Sequence, residues 1–160
     1  RVNQAGEFGA QQIYKGQLAI LKDPQDQEVI SHMLEQEQVH LKRFNELVVD
    51  RKVRPTALSP LWNVLGFALG ASTAILGKKA AMACTVAVEE VIDEHYQEQL
   101  DTLKDNDKEL TDLIEKCQAE ELEHRDIGLE HGAEETPGYT VLSTAIKGAS
   151  KLAIWLSKRV

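Results

Sequence analysis

Six residues in this chain have types and spacings that suit a two-metal site. Glu7 precedes Glu37-Gln38-Val39-His40 by 30 residues, and Glu89 precedes Glu121-Leu122-Glu123-His124 by 32. Each unit therefore reads as a lone Glu followed, about one helical hairpin later, by Glu-x-x-His. The i,i+3 spacing turns the Glu and His of each motif to one helix face. Two such units facing each other offer four carboxylates and two imidazoles, the donor set of a carboxylate-bridged metal pair in a helical bundle. Glu37 and Glu121 are then the shared, bridging carboxylates. Glu7 and Glu89 are terminal, and His40 and His124 bind one metal each. Oxygen and imidazole donors favour iron or manganese over softer metals. Four acids converging without cations or protons would repel one another, so a buried version needs one or the other.

The elements that position these residues are helices. Ala10, Ile13, Leu18 and Leu21 recur at helical spacing over residues 1–22. Gly6, Gly9 and Gly16 weaken that helix, and the expectation is that another backbone approaches there. Asp23-Pro24 marks a restart, with Asp as cap and Pro in the first turn. A second helix over 24–50 follows. Third and fourth long helices are expected at 79–104 and 107–134, separated by a polar turn, Lys104–Asp107.

Symmetry tests the pairing. The midpoint between Glu7 and Glu37–His40 falls within Lys22–Pro24, and that between Glu89 and Glu121–His124 falls within Asp105–Asp107. Both are turns expected on other grounds. Each lone Glu is thus level with its own Glu-x-x-His, about 15 residues or roughly 23 Å from the turn.

The uncharged run Pro55–Gly77 has the length and polarity of a possible membrane span. Spanning would put the two units on opposite sides of a bilayer, so a crossover helix, part buried and part facing lipid, fits better. Ser59-Pro60 and Thr136-Pro137 look like further cap-then-proline starts. A last helix over 138–157 is amphipathic. Its Lys147 and Lys151, with Lys158, Arg159 and Trp155, suit an anionic membrane surface. The expected fold is all-α: one domain over 1–160, a ferritin-like four-helix bundle with an apolar crossover helix and an extra C-terminal amphipathic helix.

Composition agrees with a packed domain. Apolar residues make up 42 % of the 160, and the net charge of −8 argues against a nucleic-acid partner. Cys84 and Cys117 read as core. The chain starts at Arg1, without Met and within a helical pattern, so a preceding segment is expected. Around the six residues some alternatives stay open. Glu90 competes with Glu89, and Glu120 and Glu123 with Glu121. Gln36 and Glu120 are candidates for orienting a facing histidine. His95 and Tyr96, six and seven after Glu89, and Tyr14, seven after Glu7, either line the site or are solvated or packed. His32 and His131 read as surface.

The stretches RVNQAGEFGA, LWNVLGFALG, KKAAMACTVAVEE with EHY beyond it, and EELEHRDIGLEHGAE resemble the 5-demethoxyubiquinone hydroxylase family of ubiquinone biosynthesis, over essentially the whole chain. The resemblance implies a ferritin-like di-iron monooxygenase. Its ligands correspond to Glu7, Glu37, His40, Glu89, Glu121 and His124, and a flanking His and Tyr correspond to His95 and Tyr96. Asn3-Gln4 stand where Asp-His is expected. The family implies O2-dependent hydroxylation of a polyprenyl benzoquinol by two Fe ions, with NADH as ultimate reductant. It implies a lipid-binding partner protein and a peripheral place on the matrix side of the mitochondrial inner membrane, or on a bacterial cytoplasmic membrane. A ferroxidase, a manganese catalase and a membrane-surface scaffold are the rival readings of the same site.

Overall fold

The computed structural model describes residues 1–103 and 106–160. Among them every regular element is a helix: α1 (Val2–Ile20), α2 (Pro24–Asp50), α3 (Ser59–Ile75), α4 (Lys78–Leu103), α5 (Lys108–Glu130), a 3-10 turn (Ala133–Glu135) and α6 (Tyr139–Ser157). The chain is an all-α bundle of two antiparallel hairpins, α1/α2 and α4/α5. The crossover α3 packs on α1, and α6 packs on α4. Of the expected second turn, Lys104 and Asp105 lie outside the described residues; Asp107 caps α5, accepting from the Leu110 N–H.

The Asp23 cap forms as the sequence suggests, its side chain accepting from the Gln25 and Asp26 amides. The other two proline starts are built differently. Leu58 is the cap residue of α3 and carries no side-chain bond. Thr56 Oγ1 accepts from the Leu58 N–H, and Ser59 Oγ donates to the Thr56 carbonyl. At Thr136-Pro137 the helix waits until Tyr139, and Gly138, at φ +72°, is the cap residue. The fourth long helix ends at Glu130, short of the expected 134, because Gly132 turns left-handed at φ +82°.

Two apolar layers bracket the Glu/His level. Tyr14, Ile30, Met33, Met82 and Val86 form one, and Phe44, Leu47, Tyr96, Ile114 and Cys117 the other. In α2 and α4 these residues fall on opposite sides of the ligand positions. Burying each large side chain stabilises the fold by about 1.5–3 kcal/mol. That gain offsets the cost of placing charge between the layers.

The α1–α3 contact is a glycine seam. A Cβ on Gly16 would lie 2.3 Å from the Phe67 carbonyl oxygen, and one on Gly70 would lie 1.9 Å from that of Ile13. At Gly9 the α3 backbone does come close, since a Cβ on Gly66 would lie 2.9 Å from the Gly9 carbonyl oxygen, but neither Gly6 nor Gly9 needs to lack a Cβ for that. Nothing lies within 4 Å of a Cβ at either position. They line instead an apolar cavity of about 180 Å³ between α1, α3, α4 and α6.

The outer faces of α3 and α6 stay apolar, with Val64 66 % and Val141 77 % exposed and Leu61, Leu65, Leu152 and Trp155 also open. No helix among the described residues is long and apolar enough to cross a membrane. Lys147 and Lys151 differ from the sequence reading. They pair with Glu90 and Glu94 of α4, the second pair at 2.7 Å. Half of the basic set on α6 is therefore spent on holding α6 to the bundle.

Candidate metal centre

The two hairpins bring all six residues into one layer. One set of donor atoms, from Glu7, Glu37, His40 and Glu121, lies within 4.8 Å of one another; a second set, from Glu37, Glu89, Glu121 and His124, does the same. Glu37 and Glu121 belong to both sets. All six side chains are buried. Glu90 and Glu123 stay outside: Glu90 is paired with Lys147, and Glu123 is exposed.

Hydrogen bonding sorts the six further. Tyr14 Oη donates to Glu89 Oε1 at 2.6 Å, and Tyr96 Oη donates to Glu7 Oε1. Each tyrosine sits seven residues after one lone Glu and bonds to the other, so α1 and α4 are cross-tied twice at this level. One oxygen of each lone Glu is thereby used. Glu7 Oε2, Glu89 Oε2, both oxygens of Glu37 and of Glu121, and Nδ1 of both histidines have no hydrogen-bond partner although buried. Buried polar atoms are rarely left so. Two free oxygens on each central Glu and one on each lateral Glu match the donor count of two bridging and two terminal carboxylates. The residues present fit a metal pair.

Nε2 of each histidine points outward to the residue that precedes the opposite hairpin's central Glu. His124 Nε2 lies 2.7 Å from Gln36 Oε1, and His40 Nε2 is hydrogen-bonded to Glu120. Those bonds place the Nε2 proton on the outside and leave Nδ1 facing the carboxylates, 3.2 Å from Glu121 in both cases. Sequence reasoning found this pair but missed Gln11 and Cys117. Gln11, four after Glu7, donates from Nε2 to the Glu37 carbonyl at 3.0 Å and ties α2 to α1. Cys117, four before Glu121, lies beside His40. The i,i+4 spacing to a candidate ligand was the available signal for both.

His95 is buried with neither ring nitrogen bonded. Its ring stacks beside Tyr96 at 6.5 Å, and it lines a cavity shared with Asn3, Glu98, Gln99 and Lys158, separate from the apolar one. Burial, helped by Lys158, holds its pKa down at about 4, so it is neutral at pH 7. Asn3 exchanges two hydrogen bonds with Gln99, and Gln4 donates to Asn45; both bond to neighbouring helices.

Charge within the layer is uneven. Burial, then repulsion from Glu121, Glu7 and Glu89, raises the Glu37 pKa well above 4.5. Burial and Glu121 likewise raise Glu89, against the opposing bond from Tyr14. Burial also works against charge on Glu121, but the His124 and His40 imidazoles, each 3.2 Å away, outweigh it and hold that group down at about 2. On His40 burial is outweighed by neighbouring Cys117, Glu121 and Glu7, and its pKa rises above 6.5. In the metal-free protein Glu37, Glu89 and His40 keep protons that the unfolded chain has lost. Their stabilisation is complete below the unfolded values and fades as pH rises above about 4.5 for the acids and 6.5 for the histidine. Glu121 acts oppositely, but only between about 2 and 4.5. The metal-free chain is therefore expected to melt at a lower temperature at pH 8 than at pH 5 in chelator. An equal or higher melting temperature at pH 8 would contradict this account of the layer.

Residues 1–157 match the family described as "Ubiquinone biosynthesis protein COQ7". The chain is 58 % identical over 161 residues to the 3-demethoxyubiquinol 3-hydroxylase of Rhodospirillum rubrum, which covers all of this chain and 76 % of the relative. It is 56 % identical over 164 residues to the mitochondrial NADPH-dependent 3-demethoxyubiquinone 3-hydroxylase of Homo sapiens, again covering all of this chain and 76 % of the relative. The mitochondrial 5-demethoxyubiquinone hydroxylase of Saccharomyces cerevisiae is 40 % identical over 177 residues, with the same coverage. A match of this extent takes in both hairpins, the crossover and the last helix together, so the chain belongs to the COQ7 family of ubiquinone biosynthesis proteins.

Proposed function

We propose that this chain is a 5-demethoxyubiquinol hydroxylase, an O2-dependent monooxygenase acting as one domain over residues 1–160. Two Fe ions would be held by Glu7, Glu37, His40, Glu89, Glu121 and His124. The observation that carries the reading is a buried, hydrogen-bond-starved Glu/His layer on the same helices that wall an apolar cavity. Gly6 and Val88 of that cavity adjoin Glu7 and Glu89 in sequence. Bound iron would supply dioxygen activation, with one oxygen atom entering the ring and the other leaving as water.

The chain's own residues set the conditions for that chemistry. Glu37 and Glu121 span the two positions. Tyr14 and Tyr96 hold Glu89 and Glu7 in place by their outer oxygens. The apolar layers exclude water from the site, and the cavity takes the polyprenyl part of the substrate. His95, neutral and unbonded beside Tyr96, would position the quinone head by hydrogen bonding. Electrons come from a reduced nicotinamide. NADH is implied by the family resemblance, and NADPH is in the name of the human relative.

The bare outer faces of α3 and α6 would rest on a membrane, with Trp155 at its surface. Some relatives are named as mitochondrial, and the place there would be peripheral, on the matrix side of the inner membrane, or on a bacterial cytoplasmic membrane. A lipid-binding partner protein would deliver or shield the substrate there.

The test is anaerobic loading with Fe(II), then reductant, oxygen and a demethoxyquinone analogue. A hydroxylated product carrying one oxygen atom from labelled O2 is expected; absence of product with two irons bound would overturn the reading. Gly6→Leu should raise KM for a long-tailed substrate about 10-fold, the cost of displacing roughly two buried methylenes. It should change KM for a tailless analogue little. Equal effects on both would remove the cavity from the account.

A further inference from the structure

The repeat that builds the metal layer is nearly two-fold. Each position has one lone Glu, one histidine through Nδ1 and the two shared carboxylates. Each lone Glu receives one tyrosine hydroxyl from the opposite hairpin. The donor types of the inner groups are therefore the same on both sides. The repeat breaks one step further out, at the residues preceding the shared carboxylates. Glu120 precedes Glu121 and accepts from His40; Gln36 precedes Glu37 and accepts from His124. One histidine is backed by a carboxylate and the other by a neutral amide.

We propose that this Glu/Gln difference makes the two metal positions unequal: the Glu7–His40 position fills first and holds its ion more tightly, and the Glu89–His124 position fills last and empties first. The proposal rests on the reading of the layer as a metal pair. Glu120 is a positioning residue acting through His40. A hydrogen bond from Nε2–H to a charged acceptor is roughly twice as strong as one to a neutral acceptor. It pushes electron density through the ring to Nδ1 and makes that atom the better donor. Gln36 fixes the ring of His124 equally well but supplies no charge.

The other groups around the histidines do not cancel this difference. Cys117 lies beside His40, and Tyr14 lies edge-on to His124 with ring centroids 6.0 Å apart; both groups are neutral. Lys116 Nζ is 3.7 Å from Glu120 Oε1 on the solvent side, where its side chain is 61 % exposed and its charge is screened. The Glu120 side chain itself is 25 % exposed.

The experiment is calorimetric and visible-absorption titration of the metal-free chain with Co(II). Two resolved steps are expected in the unaltered chain, separated by about 10- to 100-fold in affinity, the usual weight of such an outer partner. Glu120→Gln should weaken the first step by that factor and merge the two. Gln36→Glu should tighten the second step and leave the first alone, a gain that a merely structural role would not produce. If Glu120→Gln fails to fold by circular dichroism, Gln36→Glu decides alone, and an unchanged second step overturns the proposal. A single unresolved step in the unaltered chain, or both steps weakened equally in Glu120→Gln, overturns the inequality while leaving the metal pair standing. Failure of the unaltered chain to bind two Co(II) ions would remove the metal reading and this inference together.

Discussion

Glu37→Gln should abolish hydroxylation and, in the absence of metal, raise the melting temperature. The two effects have one cause. Glu37 is wholly buried among Glu7, Glu89 and Glu121, and its two oxygens have no hydrogen-bond donor. Without cations it keeps a proton that the unfolded chain gives up at neutral pH, and Gln removes that cost. Gln keeps the volume and the helix. It also removes a carboxylate that belongs to both donor sets. Changes to outer partners alone cost about 10- to 100-fold in affinity. Loss of a bridging carboxylate should exceed that and take turnover with it. Differential scanning fluorimetry with and without Fe(II), beside the hydroxylation assay, checks both halves. The unaltered chain should gain stability from Fe(II), and the Gln variant should not. A variant that still binds two irons and turns over would end the bridging assignment.

The second large effect is on stability. Gly70→Ala places a methyl 1.9 Å from the Ile13 carbonyl oxygen and 2.7 Å from its carbon. Those are backbone atoms inside α1, and no rotamer can move them aside. Alanine in place of glycine returns up to about 1 kcal/mol of helix propensity. Overpacking of this kind costs about 1–3 kcal/mol or more. The net loss should lower the melting temperature by several degrees at about 2–4 °C per kcal/mol for a chain of this size. Because Trp62, Leu65, Gly66 and Leu69 of α3 wall the apolar cavity, a displaced α3 should also weaken binding of a long-tailed quinone. Gly9→Ala is the control. It meets nothing within 4 Å, so propensity alone acts and the melting temperature should rise. A Gly70→Ala protein melting within a degree of the parent would mean that α1 and α3 are not in contact through this seam.

How much of this was legible in the sequence depends on whether periodicity or contact decides a feature. Helix spans and the level of the Glu/His layer follow from spacing along one chain. Glu-x-x-His shares a face because 3.6 residues make a turn, and the hairpin midpoints fix which residues are level. Asp23 caps α2 because its side chain reaches amides only two and three residues on. At Ser59-Pro60 the helix starts as expected with Pro in its first turn, but Thr56 supplies the local hydrogen bonding in place of a Ser59 cap; at Thr136-Pro137 the start moves to Tyr139 behind Gly138.

The lysines of α6 show the same limit. Lys147 and Lys151 belong to a basic face by composition, yet Glu90 and Glu94 of α4 capture them once the helices pack. The glycines divide for a similar reason. Gly16 lets a backbone in, while Gly6, ten residues earlier on the same helix, leaves a space open.

By itself, then, the sequence determined the helical hairpins, the six converging side chains and which two of them are central. These are repeat properties of single helices and short turns. Only the tertiary structure decided that Tyr14 ties Glu89 and Tyr96 ties Glu7, that Glu120 backs one histidine and Gln36 the other, and that an apolar cavity opens beside the layer. Each of those depends on the rotation and distance between helices far apart in the chain. Side-chain packing sets these, and no spacing within one segment encodes them.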